Sequence, residues 1–159
     1  MGFLAHYLMK IAEALQERAD LRNNIEMIRE RICDNVIVQE GDTPAENPEK
    51  TREDLDEAVL RLEYLISRIN NTNCRTKVEG RSLSEIIAEK DMLMLKSSVL
   101  KTAIRRAGQI AYRVRGSEIR LEQAISVADW QKDVDAMAKR IRELDTLLQK
   151  TNWTLDLIE

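Results

Sequence analysis

Residues 55–73, LDEAVLRLEYLISRINNTN, carry apolar side chains at three- and four-residue intervals, the spacing of one face of an α-helix. Residues 134–152, VDAMAKRIRELDTLLQKTN, repeat this pattern 79 positions later. Any two segments whose heptads are in the same phase match at their apolar positions. Periodicity alone does not require that both segments also end in the same Thr-Asn dipeptide. The two segments therefore predict a pair of related helices that arose by internal duplication. The matched positions of the first segment are Leu55, Ala58, Val59, Leu62, Leu65 and Ile69.

A second match, at an offset of 72, links residues 15–32 to residues 87–104. Both segments carry apolar residues in heptad register. Each also has one charged residue inside its apolar seam, Arg18 in the first and Lys90 in the second. The match predicts that the first and third helices are related in the same way as the second and fourth.

The repeats predict two hairpins, residues 1–80 and residues 81–159, each made of a helix, a short extended turn and a helix. We expect the 159 residues to form one domain of the mainly α class, a four-helix bundle or a coiled-coil-like arrangement of duplicated hairpins. Alternation in residues 118–122 would add a minor β ribbon. The predicted helices run from near Phe3 to about Val36, from Pro48 to Asn71–Asn73, from Ser82 to near Gly116, and from about Asp129 to Lys150.

The composition favours long helices, because a third of the residues are charged and the chain has only 5 Gly and 2 Pro. Lys and Arg number 25 against 28 Asp and Glu, so the net charge of -3 does not indicate a polyanionic partner. Cys33 and Cys74 fit no disulfide framework, and no apolar run reaches the ~20 residues of a membrane span or resembles a secretion signal. These features predict a soluble, cytoplasmic protein.

The predicted helix lengths indicate self-association. The first helix, at about 33 residues and ~1.5 Å per residue, would be about 50 Å long, whereas the second would have only about 24 residues. The first would then extend beyond the second and expose its apolar stripe, at a cost of ~25 cal/mol per Å². Pairing with another copy would cover that stripe, so we predict a homo-oligomer, a dimer or larger.

The sequence offers little for catalysis. His6 is the only histidine, which rules out a histidine triad or a histidine-rich metal site elsewhere in one copy. No Glu-x-x-His pair and no Gly-rich phosphate loop is present, so we predict no metal and no cofactor. The leading hypothesis is a non-enzymatic structural or protein-interaction module whose protein partner the sequence does not identify.

Arg18 and Lys90 are candidates for a site because a charge in an apolar seam needs a carboxylate, a path to solvent or an anion. Pairing with a carboxylate or extension into solvent is one interpretation. Selection of register within an oligomer is another, and binding of an anion is the third.

The charge is unevenly distributed along the chain. Residues 40–57 have eight acidic residues against Lys50 and Arg52, whereas residues 101–120 have a net charge of +5. The basic stretch could contact nucleic acid, with Tyr112 available for base stacking. Alternatively, its cations favour the end of a helix and meet the acidic loop of a partner copy. The candidate nucleic-acid contacts are Lys101, Arg105, Arg106, Arg113 and Arg115.

The N-terminal residues from Phe3 to Leu15 have apolar side chains at helical spacing. We expect this stripe to pack inside the protein, and a helix lying on a membrane surface is the alternative.

Several short motifs resemble the septicolysin-like family of small bacterial helical proteins, over residues 9–159. The resemblance implies no catalytic residues. Similar chains of that family begin at the equivalent of Met9, so the resemblance leaves Met1 and Met9 as alternative native starts, and the cytolysin-like label adds membrane association as a further alternative. The motifs are MKIAEAL at 9–15, ERADL at 17–21, VQEG at 38–41, PAE at 44–46, RIN at 68–70, TKVEG at 76–80 and TNWT at 151–154.

Overall fold

The computed structural model describes residues 8–109 and 121–158. The elements are α1 (Ile11–Asn35), α2 (Pro48–Arg75), β1 (Lys77–Val78), β2 (Arg81–Ser82), α3 (Leu83–Gly108) and α4 (Val127–Thr154). The chain is mainly α-helical, with α1 packed on α2 and α3 packed on α4, which confirms the predicted class. No described helix is both long and apolar enough to cross a membrane.

The described residues divide into two units, residues 8–76 with 151–158 and residues 77–150. Each unit has its own core, filled from the apolar lines of its helices. Leu65 is fully buried in the first unit, and Leu144, which lies 79 positions later, is 2% exposed in the second. Ile11 and Leu83, which are 72 positions apart, are both fully buried. The offsets found in the sequence therefore relate core positions of the two units.

The first helix of each unit begins with the same contact between a glutamate and the N-cap amide. In α3 the Ser82 hydroxyl accepts a hydrogen bond from the Glu85 amide at 3.2 Å, and the Glu85 carboxylate accepts one from the Ser82 amide at 2.7 Å. This is the predicted capping box. At the start of α1 the Glu13 carboxylate accepts from the Lys10 amide at 2.8 Å. Positions 10 and 13 lie 72 residues before Ser82 and Glu85.

The predicted length of the first helix is wrong. α1 begins at Ile11 and has 25 residues, whereas α2 has 28, so the length difference that predicted an exposed overhang is absent. The reason is that the backbone of Met9 and Lys10 is extended and pairs with the C-terminal segment. Met9 accepts from the Leu157 amide at 2.8 Å, and the Ile11 amide donates to Leu155 at 3.1 Å.

The Thr-Asn dipeptides do not end their helices as predicted. α2 continues through Thr72 and Asn73 to Arg75, and α4 continues to Thr154. The Thr72 hydroxyl donates to the carbonyl of Arg68 at 2.8 Å, an interaction that is compatible with helical backbone. Thr72 is fully buried, so the threonine of this dipeptide packs in the core and does not end the helix.

The small ribbon lies at a different place from the predicted one. β1 and β2 form an antiparallel pair that leads directly into α3. Glu79 and Gly80 make its turn with φ angles of 53° and 82°, a conformation that glycine adopts readily. Of the predicted ribbon, residues 118–120 lie outside the described residues, and Leu121 and Glu122 are not in a strand.

Candidate functional site

Each unit has an ion pair at the same place between its two helices. In the second unit Arg140 donates to the carboxylate of Glu89 from Nε at 2.7 Å and from Nη2 at 3.3 Å. In the first unit Arg61 donates to Glu17 in the same way, at 2.6 and 2.9 Å. The two glutamates are 72 positions apart and the two arginines 79, so the offsets also relate this contact.

Glu89 has a further partner, to which nothing corresponds among the described residues of the first unit. Arg81, in the ribbon, donates from Nη1 to Glu89 at 2.5 Å and from Nη2 to the carbonyl of Glu85 at 3.2 Å. The corresponding position of the first unit is Met9. Hydrogen bonds from Arg140 first, and then from Arg81, lower the pKa of Glu89 to about 2. This carboxylate therefore stays ionised and holds both guanidinium groups in place.

A cavity of about 730 Å³ lies beside these two arginines, within the second unit. Apolar surface from Val78 and Leu147 and the carboxylates of Glu79 and Glu143 contribute to its lining. Cations outnumber the lining carboxylates. They are Arg81, Lys139, Arg140, Arg142 and Lys150.

The first unit has no comparable set of cations. Of the five cavity-lining cations, only Arg140 has a cationic counterpart, which is Arg61. The other counterparts are Met9, Leu60, Glu63 and Asn71. The excess of positive charge is therefore specific to the second unit and is not required by the fold that the two units share.

The two charged seam residues have different environments. Lys90 donates to Asp145 of α4 at 2.5 Å, so its carboxylate partner comes from the neighbouring helix. The position of the first unit that corresponds to Asp145 is Ile66, which offers no carboxylate to Arg18. Arg18 is half-buried and makes no ion pair with any residue in the described ranges. The structure does not bring Arg18 and Lys90 together within one unit.

The basic segment is described only in part. Lys101, Arg105 and Arg106 are exposed in the last turns of α3. Lys101 and Arg105 are one turn apart and line a second cavity of about 440 Å³, together with Met94 and Ile141. Arg113 and Arg115 lie outside the described residues, as does His6.

The acidic segment is partly neutralised inside the first unit. Arg31 of α1 contacts Glu46 at 2.7 Å and Asp54 at 3.8 Å. The hydrogen bond from Arg31 to Glu46 is the main cause of a raised pKa for that arginine. The charge of residues 40–57 is therefore less available to a partner than the sequence count indicates.

The outer face of α3 has an apolar line that the prediction missed. Met92, Leu95 and Val99 are between 59% and 60% exposed and follow one another at intervals of three and four residues. This second 4-3 line can be read from the sequence beside the predicted line through Ile86, which is buried, and Leu93, which is half-buried. The predicted line was the stronger signal. We call the line the outer seam of α3. Its positions are Ala88, Met92, Leu95, Val99, Thr102 and Arg106.

The same face of α1 is mainly polar, with Met27 as its one large apolar residue. Asp20 and Asn23 correspond to Met92 and Leu95 at the offset of 72, and both are exposed. The full set of counterparts to the outer seam is Gln16, Asp20, Asn23, Met27, Glu30 and Asp34. An exposed polar face is typical of a helix in contact with water, so the apolar outer seam distinguishes α3 from its counterpart.

Comparisons with known proteins agree on the fold and give no activity. Residues 18–157 match a family of unknown function, DUF6847. A crystal structure of a functionally unknown conserved protein from Corynebacterium diphtheriae is similar, with 32% identity, a TM-score of 0.89, and coverage of 95% of this chain and 99% of that one. No curated protein matches the chain.

Proposed function

Since the chain belongs to DUF6847, a family of unknown function, we propose a function from its own surface: a non-enzymatic helical module that associates with a second copy of itself. The outer seam of α3 carries this proposal. Three large apolar side chains at coiled-coil spacing are each more than half exposed, and exposed apolar surface costs ~25 cal/mol per Å². A second helix with the same spacing would cover them.

The distribution of charge along α3 favours an antiparallel partner. Asp91 and Arg105 are both exposed and lie two heptads apart, so they are on the same flank of the outer seam. When two copies of α3 run antiparallel, the acidic end of one lies beside the basic end of the other. Asp91 of each copy then meets Arg105 of its partner, and Leu95 packs against Val99. The arrangement is a self-complementary two-fold interface.

The ion pair at Glu89 supports a role without catalysis. A general acid or base works best when its pKa is close to the pH at which it acts. Two arginines instead hold the pKa of Glu89 at about 2, so this carboxylate is ionised at neutral pH and is poorly suited to be a general acid or base. Its position between the ribbon and two helices suits a structural role. We also propose a cytoplasmic location, because Cys33 and Cys74 are both exposed thiols.

Sedimentation of the full chain tests self-association. We expect a concentration-dependent dimer that Leu95→Glu converts to a monomer, because the substitution places two like charges at the centre of the seam. The matched control is Asn23→Glu at the corresponding position of α1, which should leave the dimer unchanged. A wild-type chain that stays monomeric at every concentration would contradict the proposal, as would equal effects of the two variants.

Nucleic-acid binding through the basic end of α3 is a second candidate, favoured by the exposure of Lys101 and Arg105 on adjacent turns. Fluorescence anisotropy with a labelled oligonucleotide should then show binding that weakens steeply with salt and on neutralising both residues. If no binding occurs at low salt, this candidate is wrong.

Membrane association, which the septicolysin-like resemblance also suggested, has less support. Ile11, within the predicted N-terminal stripe, is fully buried in the first unit and is not available to a lipid surface. The residues of that stripe before Leu8 lie outside the described part of the chain.

A further inference from the structure

We propose that the cavity of the second unit is a binding site for a small organic phosphate. The phosphate would lie beside the five lining cations, which we call the cationic rim, and an apolar moiety would lie against Val78 and Leu147. This inference goes beyond self-association and does not depend on it. The cavity lies within residues 77–150 and is lined from the ribbon, α3 and α4.

The size of the cavity suits a small molecule. Ligand pockets typically have volumes of about 300 to 1,000 Å³, with mostly apolar walls and a few charged groups that fix the orientation of the ligand. The cavity of about 730 Å³ lies within this range. Val78 and Leu147 are only half-buried, so they offer apolar surface to an occupant.

The cations of the rim favour a phosphate over a carboxylate. Four of the five have no cationic counterpart in the first unit, so the shared fold does not explain them. Guanidinium groups match the tetrahedral oxygens of phosphate through paired N–H donors, and a phosphate monoester carries more negative charge than a carboxylate. Several cations around one cavity therefore match a multiply charged anion better than a single carboxylate.

Two cations of the rim are available to a ligand. Lys139 and Arg142 are exposed, and neither side chain makes an ion pair within the described ranges of the chain. Arg81 and Arg140 are already held by Glu89, at 2.5 and 2.7 Å, and this fixes the side of the cavity that they line. Glu89 is thus a positioning residue, while Lys139 and Arg142 would contact the phosphate directly.

NMR titration of the full-length, ¹⁵N-labelled chain tests the site with three probes: phenyl phosphate, inorganic phosphate and benzoate. We expect saturable shifts from phenyl phosphate at amides of residues 77–82 and 139–150. Inorganic phosphate should shift the same amides more weakly, because it lacks the apolar moiety. Benzoate should bind about tenfold more weakly than phenyl phosphate, because it carries less charge.

Variants connect the shifts to the rim. The double substitution Lys139→Gln and Arg142→Gln should weaken phenyl phosphate binding about tenfold, since each lost charge removes one charge-assisted contact. Lys132→Gln, an exposed cation of α4 outside the cavity, is the control and should change the affinity less than about twofold. Unchanged circular dichroism shows that the variants fold.

The proposal is overturned if no saturable shifts appear below about 10 mM phenyl phosphate. It is also overturned if the shifts lie outside the cavity, if the double variant binds as the wild type does, or if benzoate binds as tightly as phenyl phosphate. These outcomes are separable from the failure of self-association, because sedimentation measures the latter without any ligand.

Discussion

Arg140 and Glu89 are joined by two hydrogen bonds, from Nε at 2.7 Å and from Nη2 at 3.3 Å, that connect α4 to α3. Arg81 reaches the same carboxylate from the ribbon at 2.5 Å, so a single negative charge holds two cations. The arrangement requires an ionised Glu89. It follows that acid should weaken the second unit through this residue.

Replacing Glu89 by Gln is expected to lower the free energy of unfolding at neutral pH and to flatten its dependence on acid. The arginines lower the pKa of Glu89 from 4.5 to about 2. Because the folded-state pKa is depressed, the stabilisation is complete above pH 4.5 and is lost as the pH falls toward about 2. Urea titrations followed by circular dichroism across this pH range measure the difference.

Arg81→Met is the matched variant, because the position of the first unit that corresponds to Arg81 is occupied by Met9. Arg140 still contacts Glu89 in this variant, so only part of the acid dependence should disappear. If the wild type and Glu89→Gln lose stability in parallel between pH 4.5 and about 2, the ion pair is not the source of the acid sensitivity.

The helical fold could be predicted from the sequence because burial repeats with the helical period. Leu65 and Leu144 were matched by an offset of 79, and both are buried. The beginning of α1 was not predictable in this way. The N-terminal apolar pattern continues the helical period before Ile11, but backbone pairing with the C-terminal segment, which includes Lys10 with Asp156, holds Met9 and Lys10 in an extended conformation. That contact spans nearly the whole chain and leaves no local signal.

The candidate cavity could not be predicted from the sequence either, because its residues come from elements that are separate in the chain. Arg81 lies in the ribbon, Glu89 in α3 and Arg140 in α4, and their meeting depends on how the helices pack. A signal did exist, since the two offsets place Glu89 on Glu17 and Arg140 on Arg61. These offsets predict that the contact occurs in both units only after the structure has shown that Glu89 contacts Arg140.

Thr72→Val is expected to destabilise the protein by about 1 to 3 kcal/mol. The buried Thr72 hydroxyl accepts a hydrogen bond from the Ile158 amide at 2.9 Å, and valine would leave that amide without its acceptor. Thermal unfolding measures the loss of stability, and hydrogen exchange should show reduced protection at Ile158. Thr72→Ser retains the hydroxyl and is the control. A serine variant as unstable as the valine variant would show that the methyl group matters instead.

Leu65→Ala and Leu144→Ala should each reduce the free energy of unfolding by about 2 to 5 kcal/mol, because each leaves a cavity in the core of its unit. Leu60→Ala is the control, since Leu60 is 66% exposed, and it should cost less than about 0.5 kcal/mol. Urea denaturation compares the three variants. If Leu144→Ala costs no more than Leu60→Ala, then Leu144 is not a core residue.

Lys96→Gln is expected to strengthen the proposed dimer. Lys96 is exposed and lies next to Leu95, close to the centre of the outer seam. In an antiparallel pair, Lys96 of one copy would therefore lie near Lys96 of the other. Two like charges in proximity oppose association, and removing them should lower the dissociation constant by about threefold. Sedimentation equilibrium measures this change. Lys132→Gln, on α4, should leave the constant unaltered, and weaker association of Lys96→Gln would argue against the antiparallel arrangement.

Reversal of charges tests the same arrangement at a specific contact. Asp91→Arg or Arg105→Asp alone should weaken the dimer by about tenfold, because each places like charges together at two symmetric contacts. The double variant exchanges the two charges and should recover most of the wild-type affinity, which a general loss of stability would not produce. Ala19→Arg, at the position of α1 that corresponds to Asp91, should have no effect. A parallel pairing predicts no recovery in the double variant, because Asp91 would then lie beside Lys96 of its partner and exchanging Asp91 with Arg105 would not restore that contact.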